Sequence, residues 1–290
     1  MANAVRQLIT LSKPRMVALL VLTALGGVWK GSEGVPELGV AIVVAVAGAL
    51  AAAGANAMNQ GLDADIDAIM RRTRGRPVPI KQVRRGIAIL AGAALVASAT
   101  VLMAWGTNLV AAALTLAAAL VYVLVYTLVL KRRSWNNIVI GGAAGAFPPL
   151  IGVSAVTGTI DTVGVYMFAL VFFWTPPHFW TLSLLLKEDY ASARVPMLAA
   201  VAGHRATVLQ ILLYVVLLNA LAWLPLAAGY GGLTFGVVAT LLGLGWMRLT
   251  LRLLKEPLDV RHARAGYVYS LAYLAAVFVV LAVEPMLPWY

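Results

Sequence analysis

Nine long apolar stretches, separated by short polar ones, constrain this chain more than any other feature. They lie at roughly residues 15–32, 38–60, 86–105, 108–130, 135–157, 162–186, 205–228, 233–253 and 265–287. Each is close to the ~20 residues that a helix needs to cross the hydrocarbon core of a bilayer. In lipid, every backbone N–H and C=O must find its partner within the segment, so such stretches form helices. The expected fold class is therefore an all-α integral membrane protein. Only 11% of the 290 residues are charged, against about a quarter in a soluble domain.

The cations sort by side. The amino-terminal segment and every second loop hold Arg6, Lys13 and Arg15; Arg71, Arg72, Arg74, Arg76, Lys81, Arg84 and Arg85; Lys131, Arg132 and Arg133; Lys187, Arg194 and Arg205; and Arg248, Arg252, Lys255, Arg261 and Arg264. The opposite side holds Lys30 alone, with Glu33, Glu37, Asp161 and Glu284. The excess of Lys and Arg on the inner side predicts a cytoplasmic amino terminus, cytoplasmic basic loops and an outer carboxyl terminus. The net charge of +11 then reads as topology and contact with membrane lipid, and no nucleic-acid partner is expected. The first apolar stretch opens after Lys13-Pro14-Arg15 and carries no small-residue cleavage site, so it reads as a span. No linker separates soluble domains, and one polytopic domain over residues 1–290 is expected. Without cysteine there is neither a disulfide nor a thiolate metal site.

The polar inventory concentrates on the inner side. Asn59, Asp63 and Asp67 follow the second span at steps of four. On a helix a step of four returns within about 40° of its start, so these three line one face while Asp65 points away. Hard oxygen ligands suit Mg²⁺, which takes one or two carboxylates and leaves positions for water and phosphate. Arg72 and Arg76 can add bidentate contacts to the same phosphates. The bland alternative is a solvated loop whose acids offset its arginines. Ionisable groups near bilayer depth are costly and usually functional, which favours the metal reading.

A second polar region reads Trp174-Thr175-Pro176-Pro177-His178-Phe179-Trp180, then Lys187-Glu188-Asp189-Tyr190. The paired prolines are expected to break or kink their span. Three roles stay open for His178: haem ligand, general base, or packing against a neighbouring helix. His204 and His262 lie in basic loops and read as solvated. Glu188 and Asp189, of which Asp189 is favoured, end their span as Asp63 and Asp67 end theirs. Two carboxylate clusters facing each other would hold two metal ions around one diphosphate. A third region carries Tyr122 and Tyr126, then Lys131 and Arg132 as a further grip on phosphate, then the small residues Gly141 to Ala146 before Pro148-Pro149. The bland reading of Lys131 and Arg132 is topology alone.

At these motifs the chain resembles the UbiA superfamily of intramembrane prenyltransferases. Asn59-xxx-Asp63-xxx-Asp67, followed by Arg72-Thr73-Arg74-Gly75-Arg76-Pro77, looks like that family's first aspartate-rich motif. Ser12-Lys13-Pro14-Arg15, Asn137 to Gly142, Pro148 to Gly152, Pro176-Pro177-His178-Phe179-Trp180, Glu188-Asp189-Tyr190, Val195 to Leu198 and Ser270 to Leu274 are most similar to its haem-farnesylating branch. The chain departs from the superfamily at Gln60-Gly61-Leu62 and in lacking two aspartates four apart in the second motif. The resemblance implies nine transmembrane helices around a central cavity, and Mg²⁺-dependent transfer of farnesyl from farnesyl diphosphate to haem B, giving haem O. It implies metal ligands at Asn59, Asp63, Asp67, Glu188 and Asp189, and phosphate partners at Arg72, Arg76, Lys131, Arg132 and Lys187. Haem A synthase or terminal oxidase assembly would be the partners downstream. Two other functions are weighed: a relative of that superfamily acting on an aromatic quinone precursor, and a transporter of anionic substrates. Transport folds often carry internal repeats, and none is evident here.

Overall fold

The computed structural model describes residues 10–32, 34–256 and 259–286. Arg6 and Glu33, counted above among the charges that sort by side, lie outside the described residues. All nine apolar stretches form helices, and the described residues contain no strand. The long helices are α1 (Pro14–Gly31), α2 (Leu38–Leu62), α4 (Arg85–Gly106), α5 (Leu109–Leu130), α6 (Asn137–Thr157), α7 (Thr162–Leu185), α10 (Gly203–Ala227), α11 (Leu233–Lys255) and α12 (Val260–Met286). Three short helices lie between them: α3 (Ala64–Ile69), α8 (Lys187–Ser192) and α9 (Leu198–Val201). Eight of the long helices are apolar enough along their length to cross a membrane. The first, α1, has 18 residues and carries Arg15 and Lys30. The chain is an integral membrane protein.

Two compact units divide the chain, and each is described by itself. The first comprises residues 1–168 and 192–195, the second residues 169–191 and 196–290.

Within the first unit, helices meet where glycine removes the side chain. Between two apolar helices in lipid no hydrophobic force drives association, so close backbone approach and dispersion carry it. A Cβ on Gly54 of α2 would lie 2.5 Å from the carbonyl oxygen of Gly92 on α4, and the reverse distance is the same. A Cβ on Gly152 of α6 would press into the backbone carbonyl of Ala24 on α1. Ala24, Val28, Val44, Ala47 and Met103 form the buried apolar cluster beside these crossings.

Two departures from regular α-helix occur. From Val121 to Leu130 α5 is wound as a π-helix; such winding is rare and tends to mark functional sites. The expected break at Pro176-Pro177 does not occur, and α7 runs through both prolines as one helix. The hydroxyls of Thr175 and Thr181, on either side, donate to the carbonyls of Val171 and Pro177 at 2.8 and 2.7 Å.

The glycine crossings give a paired test. Gly152→Val forces a side chain against the backbone of α1, and overpacking of this kind costs about 1–3 kcal/mol. Gly48 on α2 has nothing within 4 Å of a built Cβ, so Gly48→Ala is expected to be neutral or to stabilise by up to ~1 kcal/mol through helix propensity. Thermal unfolding of the two variants in detergent should separate them, and equal midpoints would contradict the packing assignment.

Candidate active site

The first acidic motif is buried. Asn59, Asp63 and Asp67 are 3%, 0% and 1% exposed. α2 stops at Leu62, Asp63 is the boundary residue at φ −94° and ψ 12°, and α3 begins at Ala64. The step of four survives this boundary. Asp63 N–H donates to the Asn59 carbonyl at 2.9 Å, and Asp67 N–H to the Asp63 carbonyl at 2.8 Å. The three side chains therefore share one face, as their spacing predicts. Asp65 is turned outward, with its side chain 59% exposed.

Cations from two separate segments close on these acids. Lys131 Nζ donates to Asp63 Oδ2 at 2.5 Å, and Arg76 Nη1 to Asp67 Oδ2 at 2.6 Å. Arg132 makes a two-armed contact with Asp65 at 2.7 and 2.8 Å, and its Nη2 lies 3.7 Å from Asp63 Oδ1. The hydrogen bond from Arg132 holds the Asp65 carboxyl down to about 2. Arg72 sits exposed in the same loop, four residues before Arg76.

Lys13 is the member that sequence reasoning missed as a site residue. Its Nζ donates to Asn59 Oδ1 at 3.3 Å. Burial first, and then Arg76 and Lys131, push its ammonium down to about 7. Its backbone is left-handed, φ 54° and ψ 65°, a conformation that costs a non-glycine residue about 1–3 kcal/mol and persists only where the surroundings impose it. Those surroundings are visible. Gln60 Nε2 donates to the Leu11 carbonyl at 2.8 Å and Asn56 Nδ2 to the Ser12 carbonyl at 3.2 Å. Two amides of α2 thus dock the segment that carries Lys13.

The π-helical turn of α5 supplies the fourth side. Thr127 Oγ1 accepts from Asn59 Nδ2 at 3.1 Å and donates to the Tyr122 carbonyl, five residues back, at 2.8 Å. Lys131 N–H bonds to the Tyr126 carbonyl, again five back, at 2.8 Å. This winding brings Thr127 to Asn59 and Lys131 to Asp63. Asn59 Nδ2 also donates to Asp63 Oδ2 at 2.7 Å, so one amide links carboxylate, ammonium and hydroxyl.

The residues fit a hard cation. Asp63 Oδ1 is buried and accepts no hydrogen bond, an arrangement that costs about 1–3 kcal/mol or more if nothing else meets the atom. Mg²⁺ meets carboxylate oxygens of this kind and keeps sites for phosphate. Asp67 and Asn59 stand one turn to either side of it.

The remaining expected site residues belong to the second unit. On α8, Lys187 and Glu188 are exposed and Asp189 is half-buried. His178 lies on α7, 7% exposed. Of the two histidines expected to be solvated, His204 is held and His262 is half-buried without a hydrogen bond at Nδ1. His204 Nε2 donates to the Leu253 carbonyl at 2.8 Å, because the last carbonyls of a helix need donors from outside it. His262 Nδ1 lies 3.3 Å from Glu256 and 3.7 Å from Asp259, while Asp259 caps α12 through Arg261 N–H.

The chain belongs to the UbiA prenyltransferase family, which it matches over residues 20–271. It is 47% identical over 279 residues to a protein of Thermus thermophilus named Protoheme IX farnesyltransferase. That match covers 96% of this chain and 46% of the relative, so the chain spans about half the length of that relative. A protein of the same name from Granulibacter bethesdensis is 46% identical over 285 residues, which is 95% of this chain and 89% of the relative. Among solved structures, a UbiA homolog from Archaeoglobus fulgidus bound to DMAPP and Mg²⁺ superposes with a TM-score of 0.69 at 16% identity, covering 94% of this chain and 99% of that one. That likeness shows the fold.

The Asp63–Lys131 pair can be tested by a double-mutant cycle. Removing one partner of a buried pair costs about 3–5 kcal/mol, because the other charge is left uncompensated. Lys131→Met and Asp63→Asn singly should each lower the unfolding midpoint in detergent more than the two together. Strictly additive losses would contradict the pairing.

Proposed function

We propose that this chain transfers the farnesyl group of farnesyl diphosphate to a vinyl group of haem B, giving haem O. The diphosphate half is carried by one observation: buried Asp63, with an unbonded carboxylate oxygen, set among Lys13, Arg76, Lys131 and Arg132. An arriving polyanion relieves the mutual repulsion of these cations, which adds to burial in depressing Lys13. The acceptor half is supported by the 46–47% identity to proteins named Protoheme IX farnesyltransferase.

In this reading Asn59, Asp63 and Asp67 hold one Mg²⁺, and Asp189 with Glu188 supplies the second acidic motif. When bound, the metal neutralises charge gathering on the departing diphosphate. Arg76, Lys131 and Arg132 grip its oxygens, with Arg72 and Lys187 as further partners. The allylic C–O bond breaks with its electron pair leaving on diphosphate. The vinyl π electrons of haem B form the new C–C bond to the allylic carbon. Water then adds to the resulting cation and loses a proton, which leaves the hydroxyl group. The apolar spans keep water from the first cation. His178, in the second unit, acts on the acceptor.

The placement of the cations supports insertion in the cell (inner) membrane with the amino terminus and the acidic motifs cytoplasmic and the carboxyl terminus outside. The product would pass to haem A synthase or to terminal oxidase assembly.

The experiment uses membranes containing Asp63→Ala or Asp67→Ala, supplied with haem B and farnesyl diphosphate. Losing several kcal/mol of charge stabilisation should lower haem O formation by about 100-fold or more. An unchanged rate would remove these residues from the mechanism. A prenylated aromatic product in place of haem O would leave the diphosphate half standing and replace the acceptor.

A further inference from the structure

His178 is held more completely than packing requires. Its ring lies between two aromatic faces, Trp174 at 4.3 Å and 18° and Tyr267 at 4.9 Å and 26°, with the edge of Phe179 at 5.5 Å. Its Nδ1 is 2.7 Å from Ser270 Oγ. All of these residues lie in the second unit.

The hydrogen-bond directions follow from Ser270. A hydroxyl has one hydrogen to give. Ser270 Oγ lies 2.6 Å from the Tyr267 carbonyl oxygen, an atom that can only accept, so the hydrogen points there. Ser270 Oγ is then left as an acceptor, and His178 Nδ1 must carry the hydrogen it receives. The imidazole is the Nδ1–H tautomer, and its Nε2 holds a lone pair. Ser270 also fixes the wall of the stack, because its carbonyl accepts from Trp174 Nε1 at 2.8 Å. Trp174 and His178, one turn apart on α7, are thus both anchored to one residue of α12.

A metal-binding histidine almost always donates its other ring N–H to an oxygen, which sets both tautomer and ring orientation. An Nδ1–H donor with a free Nε2 is the form in which histidine ligates haem iron. We propose that His178 Nε2 binds the iron of the haem acceptor, and that Ser270 is the positioning residue that keeps the imidazole in the ligating tautomer. This rests on haem being the acceptor. Its consequence is positional: ligation fixes where the iron sits, while rotation about the iron–nitrogen bond is left to other contacts.

The test is a haem B titration of the purified full-length protein in detergent, followed by absorption and resonance Raman spectroscopy without farnesyl diphosphate. The wild type is expected to give a histidine-ligated spectrum. His178→Ala should lose it, and added imidazole should restore it. Ser270→Ala should weaken haem binding by about 10- to 100-fold and shift the iron–histidine vibration, while Ser270→Thr, which keeps the hydroxyl, should behave as the wild type. An unchanged spectrum in His178→Ala overturns ligation, and an unchanged vibration and affinity in Ser270→Ala overturns the positioning role. If His178→Ala does not fold, the Ser270 pair decides. Wild-type protein that binds no haem and forms no haem O overturns the acceptor assignment itself, a result distinct from haem bound without His178.

Discussion

A carboxylate with no solvent at the end of a membrane helix must be paired, and the site of this protein is organised around that requirement at Asp63. Burying an ion costs several kcal/mol unless its partners are close and well placed. Lys131 and Asn59 meet one oxygen of Asp63. Each of those partners commits another segment. Lys131 fixes the end of α5, and Asn59 recruits Thr127 and Lys13. Asp67 recruits Arg76 and so holds the loop after α3. Two buried carboxylates one turn apart thereby tie four stretches of chain together.

Under the proposed function, the same electrostatics would let a diphosphate both bind and leave. The cations are shared between the protein's own acids and any phosphate that enters. A polyanion replaces one set of partners with another, and does not have to pay for dehydrating free ammonium and guanidinium groups. The second oxygen of Asp63 stays available to a cation carried in with it.

Much of this was legible in the sequence, and the parts that were not have physical reasons. The nine helices follow from apolar length. The shared face of Asn59, Asp63 and Asp67 follows from a step of four, which held even though α2 ends between them. The outward turn of Asp65 followed from the same geometry, but its bond to Arg132 did not, since that pair is 67 positions apart. Lys13 escaped because it lies 46 positions from Asn59 and reaches it only through a left-handed backbone. Gln60 read as a departure from the family pattern, yet it is the amide that docks Leu11 and so delivers Lys13. The prolines of α7 predicted a break or a kink; no break occurs, and α7 stays one helix.

The π-helical segment Val121–Leu130 changes how this gene segment can vary. In an ordinary helix one residue advances the facing direction by about 100°. The π winding accommodates residues that an α-helix over the same rise would not hold. Deleting a single codon between Val121 and Leu130 would let the turn relax to α-helix and remove the five-back hydrogen bonds that set Thr127 and Lys131. Replacing an exposed residue there, such as Leu124 or Leu128, alters only a lipid contact. Across descendants of this chain, the exposed letters of the segment should therefore diverge while Thr127 and the segment's length stay constant.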